Sequence, residues 1–255
     1  MKMTAEQPEQ DRVEPSAPAK DFAATSLLMT IGVAPGPLAL EPDMATALGD
    51  RAGDSGADIQ DDAAARVPDL LNRVCKAYTL RFISAACGDD PVLLSRCDFV
   101  VPTEAAWRVA GKFVRGRSAT MRALLGVSHW ISLGEASMEV STASRRLPAA
   151  PVTPAPGLRS RTFTLAAGQS VFLARGTRFR PGKGAWLGLD YVRAWMKPDI
   201  LFASALPRSV LDTLDPALSG MIGTTVSLPV SVDTFVEAEA AAARGELANV
   251  SGRGV

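Results

Sequence analysis

From Asp98 to Met196 the apolar residues come in short runs, most of them closed by glycine, proline or a charge. The runs are Phe99–Val101, Trp107–Val114, Met121–Val127, Trp130–Leu133, Ala136–Val140, Thr162–Leu165, Val171–Leu173 and Ala185–Val192. Turn signals recur roughly every 8–12 residues, the spacing of antiparallel sandwiches and barrels. The expected fold class is mainly β, an antiparallel barrel or jelly roll over residues 98–200. The proline-rich stretch Leu147–Gly157 reads as an exposed loop between two strands.

The flanks read differently. Val67, Leu70, Leu71, Val74, Ala77, Tyr78 and Phe82 recur at helical spacing, so residues 66–97 form a helical lead-in that starts near Pro68 and ends at Gly88. Residues 201–255 are expected to pack as helices on the barrel. Pro207 starts a short one, Met221–Val232 adds one further strand, and Thr234 with Glu237 makes a capping box for Phe235–Arg244. Residues 1–65 read as an acidic arm, disordered to residue 21 and loosely ordered beyond. Its apolar patch, Phe22 to Val33, would dock on a core or a partner.

With 47% apolar residues the chain can bury a sizeable core. Its two longest uncharged stretches, Phe22–Leu40 and Pro216–Val232, are both broken by glycine and proline, which excludes a membrane span. No secretory signal is visible at the start. Cys75, Cys87 and Cys97 stand among apolar neighbours at spacings that suit neither a disulfide framework nor zinc. Buried reduced thiols and a cytosolic setting follow. His129 is the sole histidine, so a three-histidine site or a two-histidine facial triad is beyond this chain alone. It reads as a structural side chain.

The neutral total of 27 basic and 27 acidic residues hides an asymmetry. Residues 71–200 carry 19 basic against 8 acidic side chains, and the first 69 residues carry 13 acidic against 5 basic. The densest basic cluster is Arg159, Arg161, Arg175, Arg178, Arg180 and Lys183. Guanidinium forks suit phosphate and carboxylate, so this cluster admits nucleic acid, a small anion or simple surface solvation.

One motif stands out. In the segment Gly168 to Phe179 a strand leaves a tight turn at Ala167–Gly168, and Gly176 permits another sharp turn. This resembles the second motif of the cupins, with Gly168 and Gly176 on its two glycines, Ala174 at the proline position and Phe179 at the histidine position. Trp130 to Val140, centred on Gly134, is similar to the hairpin that ends the first cupin motif, and Ala185–Val192 resembles the closing strand. The resemblance implies a cupin-like barrel. It also implies a degenerate metal site, because Val127 stands at the glutamate position, Thr120–Ala123 hold no histidine, and Phe179 replaces the last ligand. A metal-free member with no cofactor is therefore expected.

The leading expectation is a metal-free cupin-like domain that binds a small anionic ligand, for sensing or for catalysis without metal. Arg122, Trp130, Glu139, Arg178, Arg180 and Tyr191 are the candidate ligand-binding residues, with Glu135, Glu139 and Tyr191 as proton-transfer groups. An inward arginine would need a carboxylate partner. Two other classes stay open: a jelly-roll coat or assembly protein with a basic nucleic-acid face, and an adaptor in a multiprotein complex; each reading admits a homo-oligomer.

Overall fold

The computed structural model describes residues 17–54, 59–60, 69–88, 91–103, 106–111, 125–141, 160–196 and 198–223. Its strands are β1 (Val33–Pro35), β2 (Ile59–Gln60), β3 (Val92–Val100), β4 (Arg108–Val109) and β5 (Gly126–Ser132). They continue with β6 (Ala136–Ser141), β7 (Ser160–Leu165), β8 (Ser170–Ala174), β9 (Arg178–Pro181) and β10 (Trp186–Arg193). A larger sheet runs β1-β8-β5-β10-β3-β2, and a smaller one runs β4-β9-β6-β7. The strand pairs are antiparallel throughout. Consecutive strands β5 and β6 fall in different sheets, as do β7 and β8, and β9 and β10. That alternation makes the pair of sheets a jelly roll.

The larger sheet is buried on both faces, so every residue of β5 and β8 is buried. One face lines the space between the sheets. There Val171, Leu173, Trp130 and Trp186 meet Met138, Val140 and Phe179 from the smaller sheet. The opposite face carries Phe172, Ile131, Leu187, Leu189 and Tyr191, and helices cover it. These are α1 (Ala17–Ile31), α2 (Pro42–Asp54), α3 (Leu70–Val74) and α4 (Ala77–Ala86), with the short α5 (Phe202–Ala205), α6 (Arg208–Leu211) and α7 (Pro216–Met221). None of the described helices is long and apolar enough to cross a membrane.

Three expectations change. The segment from residue 22, read as loosely ordered, is built into the domain. Leu28 is fully buried, β1 extends the larger sheet beside β8, and the Gly32 carbonyl accepts bonds from the Ala174 amide and the Thr177 hydroxyl. Its apolar residues show no helical stripe because the segment packs against several neighbours in turn. The lead-in helix is two helices broken at Cys75–Lys76, and the sheet starts at Val92, inside the span read as helical. Residues 1–16, the loop 147–157 and everything from 224 onward, including the capping box, lie outside the described residues.

The glycines of the cupin-like motif behave as turns require. Gly168 (φ 79°) and Gly176 (φ 87°) both sit in the left-handed region. At Gly168 a side chain would also strike the Leu40 carbonyl, since an ideal Cβ would stand 2.1 Å from that oxygen.

Candidate functional site

Strand alternation decides which side chains face the space between the sheets. On β5 these are Ser128, Trp130 and Ser132; on β10 they are Trp186, Gly188 and Asp190. Register joins them, since Trp130 lies opposite Gly188 and Ser128 opposite Asp190. On the far side of β10, Asp98 faces Gly188 and Arg96 faces Asp190. The interior thus divides into an aromatic half and a polar half.

The aromatic half is closely packed. The Trp130 ring lies 4.8 Å from Phe179 and 6.4 Å from Trp186, centroid to centroid. In the polar half, Arg96 pairs with Asp98 at 3.0 Å, and the Ser128 hydroxyl donates to the Asp190 carboxylate. Arg175, in the turn after β8, adds a second guanidinium that interacts electrostatically with Asp190 and Asp199. Burial raises the Asp190 carboxyl above its ordinary range, against the Ser128 hydrogen bond and the charges of Arg96 and Arg175. Burial likewise lowers the Arg175 guanidinium, opposed by Asp190 and Asp199. A carboxyl that holds its proton more readily than usual, beside two guanidiniums, is equipped to bind a polar group or to pass a proton.

The residues expected from the sequence are not gathered in one place. Trp130 faces the interior. Glu139 and Arg180 face each other across β6 and β9 on the outer side of the smaller sheet, where they form an ion pair. Ser160 donates to Glu139 at 2.6 Å, and that bond leads the lowering of the Glu139 carboxyl; Arg180 also lies 5.3 Å from the Trp107 ring. Arg178 is buried on β9, and Tyr191 points to the helical side, where its hydroxyl meets the Cys75 sulfur at 3.4 Å. Glu135 is exposed in the turn between β5 and β6. Arg122 lies outside the described residues. Of the basic cluster, Arg161 and Lys183 are exposed, Arg175 borders the interior, and Arg159 is outside the described residues.

Sequence reasoning missed Arg96, Asp98, Ser128 and Asp190. The available signal was a carboxylate inside an otherwise apolar strand, Trp186–Val192, in phase with two small or aromatic interior positions.

A cleft of about 450 Å³ opens on the helical side, lined by Asn72, Cys75, Leu80, Leu214 and Leu218, with Lys76 and Asp215. Its polar groups serve the fold: Asn72 donates to the Thr213 carbonyl and accepts from the Asp215 amide. Burial pushes the Cys75 thiol up to about 12, so it is not a nucleophile at neutral pH.

No protein-family model and no curated protein matches this sequence. Solved structures do. The non-heme alpha ketoglutarate dependent epimerase SnoN from nogalamycin biosynthesis aligns with a TM-score of 0.55 at 16% identity, over 78% of this chain and 93% of SnoN. HygX from Streptomyces hygroscopicus, with iron bound, gives 0.55 at 10% identity over 69% of this chain and 88% of its own. AviO1 from Streptomyces viridochromogenes Tue57 gives 0.51 at 17% identity, over 70% and 97%. The shared fold is the cupin-like double-stranded β-helix. At these identities the likeness concerns architecture.

A non-heme iron centre of the two-histidine, one-carboxylate kind does not fit this donor set. The single histidine, His129, alternates with Trp130 and so faces away from the interior. Its ring stacks on Phe172 at 4.4 Å, fully buried, and among the described residues neither ring nitrogen has a hydrogen-bond partner. The position that resemblance gives to a histidine ligand holds Phe179, packed on Trp130. Among the described residues no three His, Cys, Asp or Glu side chains assemble as a metal site.

Proposed function

We propose that this chain is a double-stranded β-helix domain that binds a small ligand at the Arg96–Asp190 end of its interior, without a two-histidine iron centre. The single observation behind this reading is the lining of that end. Arg96, Asp98, Ser128 and Asp190 project from three adjacent strand segments into the space between the sheets, where apolar side chains would pack better. Interior charge is costly to fold and is kept where it does something.

The ligand is small and carries an anionic group. Arg175 supplies a guanidinium whose Nε–H is buried with no hydrogen-bond partner among the described residues, Arg96 adds positive charge beside it, and the aromatic half supplies an apolar wall. The fold neighbours support a small-ligand role: SnoN was solved in complex with Fe3+, alpha ketoglutarate and nogalamycin RO, and HygX with nickel and 2-oxoglutarate. Asp190 is the group that would hold or move a proton at its carboxyl oxygen, with Ser128 fixing its orientation. The buried, reduced cysteines accord with a cytosolic setting.

The experiment is a thermal-shift panel of small carboxylates and sugar phosphates on the full chain, with Arg96→Gln and Asp190→Asn alongside. A ligand present at 100 times its Kd stabilises by about 2.7 kcal/mol. A concentration-dependent rise in Tm that both variants lose is expected. No rise with any compound, or a rise that both variants keep, removes this reading.

A further inference from the structure

The cleft of about 450 Å³ on the helical side lies between two walls. One is the break between α3 and α4, at Cys75–Lys76, and the other is the segment Thr213–Asp215 that leads into α7. Asn72 fixes their separation, donating to the Thr213 carbonyl at 3.1 Å and accepting from the Asp215 amide at 3.3 Å. A preformed space of this size falls within the about 300–1,000 Å³ of small-molecule sites.

The break that borders the cleft is not called for by the local sequence. No glycine or proline stands between Asp69 and Gly88, and the apolar residues keep helical spacing through Phe82. One continuous helix would leave fewer backbone groups unsatisfied than two short ones. Instead Cys75 (φ −91°, ψ 55°) and Lys76 (φ −67°, ψ 151°) leave helical geometry. Departures from local preference of this kind concentrate at functional sites.

The lining sorts the ligand. Leu214 and Leu218 are buried, Leu80 is half-buried, and the Cys75 sulfur is held by the Tyr191 hydroxyl, so the floor is apolar. Lys76 is exposed, and no carboxylate among the described residues pairs with its ammonium. A cation at the rim of an apolar floor suits an acidic head with an apolar tail. Asp215, on the other wall, adds a negative charge that opposes a second acidic group.

We propose that this cleft binds a monocarboxylate with a medium-length alkyl chain, its tail on Leu80, Leu214 and Leu218 and its carboxylate on Lys76. The site is separate from the polar end of the interior and shares no residue with it.

Isothermal titration calorimetry of the full chain tests it with sodium octanoate, sodium acetate and disodium suberate, the last bearing a carboxylate at both ends of the same chain. Octanoate is expected to fill one saturable site. Acetate, which lacks the tail, and suberate, which brings a second charge, are expected to bind at least about tenfold more weakly. Lys76→Gln is expected to weaken octanoate about fivefold, and its exposed position leaves the fold intact. Arg96→Gln and Asp190→Asn are expected to bind octanoate as the wild type does. No saturable heat with octanoate, suberate binding as tightly as octanoate, or undiminished binding by Lys76→Gln each overturns the proposal. Loss of octanoate binding in Asp190→Asn with Lys76→Gln unaffected places the acid in the interior, which overturns the cleft and leaves the interior reading standing.

Discussion

Gly188 on β10 faces Trp130 on β5, and a methyl group at residue 188 would stand 3.2 Å from the indole ring. The backbone there is ordinary, so the glycine is set by contact rather than by φ. Gly188→Ala is expected to destabilise the fold by about 1–3 kcal/mol through overpacking. Chemical denaturation would show it, together with a shifted tryptophan emission as the Trp130 ring is displaced. Wild-type stability and an unchanged spectrum would mean that the ring is not held against β10.

His129 makes a pH prediction whose sign is opposite to that of an ion-paired histidine. Burial pushes its pKa down from 6.5 to about 3, so the unfolded chain takes a proton that the native state refuses. From this residue stability is complete above pH 6.5 and declines as pH falls toward 3, at up to about 1.4 kcal/mol per pH unit and about 5 kcal/mol across that window. Denaturant midpoints measured across pH 7 to 4 are expected to fall in the wild type and to flatten in His129→Phe. Equal slopes in the two proteins would refute it.

Ser128 and Asp190 should be separable by pH. Asp190 has a raised native pKa, so its contribution is intact below the ordinary carboxylate range and is lost as pH rises through the native value. Ser128→Ala removes a donor from that carboxylate and raises the native value further. The variant is expected to lose about 1–3 kcal/mol at pH 7 and clearly less at pH 4. Asp190→Asn, which has no carboxylate to bury, is expected to show no such pH dependence. Thermal unfolding at the two pH values measures both.

The outer pair Glu139–Arg180 is expected to matter little. The Arg180 side chain is 39% exposed, and surface pairs of this kind contribute about 0–1 kcal/mol. Arg180→Ala should unfold within about 1 kcal/mol of the wild type and keep the ligand-induced Tm rise that Arg96→Gln loses. A variant at Arg180 that abolished ligand response would move the site to the outer face.

The thiols give a simpler check. Cys75, Cys87 and Cys97 are all buried. Native protein at pH 8 should react slowly with a thiol reagent, and all three should react at once in denaturant. One fast thiol in the native state would contradict the packing of Cys75 behind Tyr191.

The period-two runs carried the fold class, and the two glycines of the Gly168–Phe179 segment carried its likeness to a cupin barrel. Both are local properties: alternation and turn conformation are written in neighbouring residues. The single histidine likewise rules out a two-histidine centre by counting alone. What lay beyond reach was the face each strand turns inward. Arg178 and Arg180 stood out as charges, yet on β9 it is Phe179 between them that enters the interior, while Arg180 faces out to Glu139. Asp190 and Arg96 are 94 positions apart in the chain and meet only because β10 is inserted between β3 and β5. Strand order across a sheet is set by long-range packing, with helices covering one face and a second sheet the other. No short stretch of sequence encodes which of two apolar faces will be the inside.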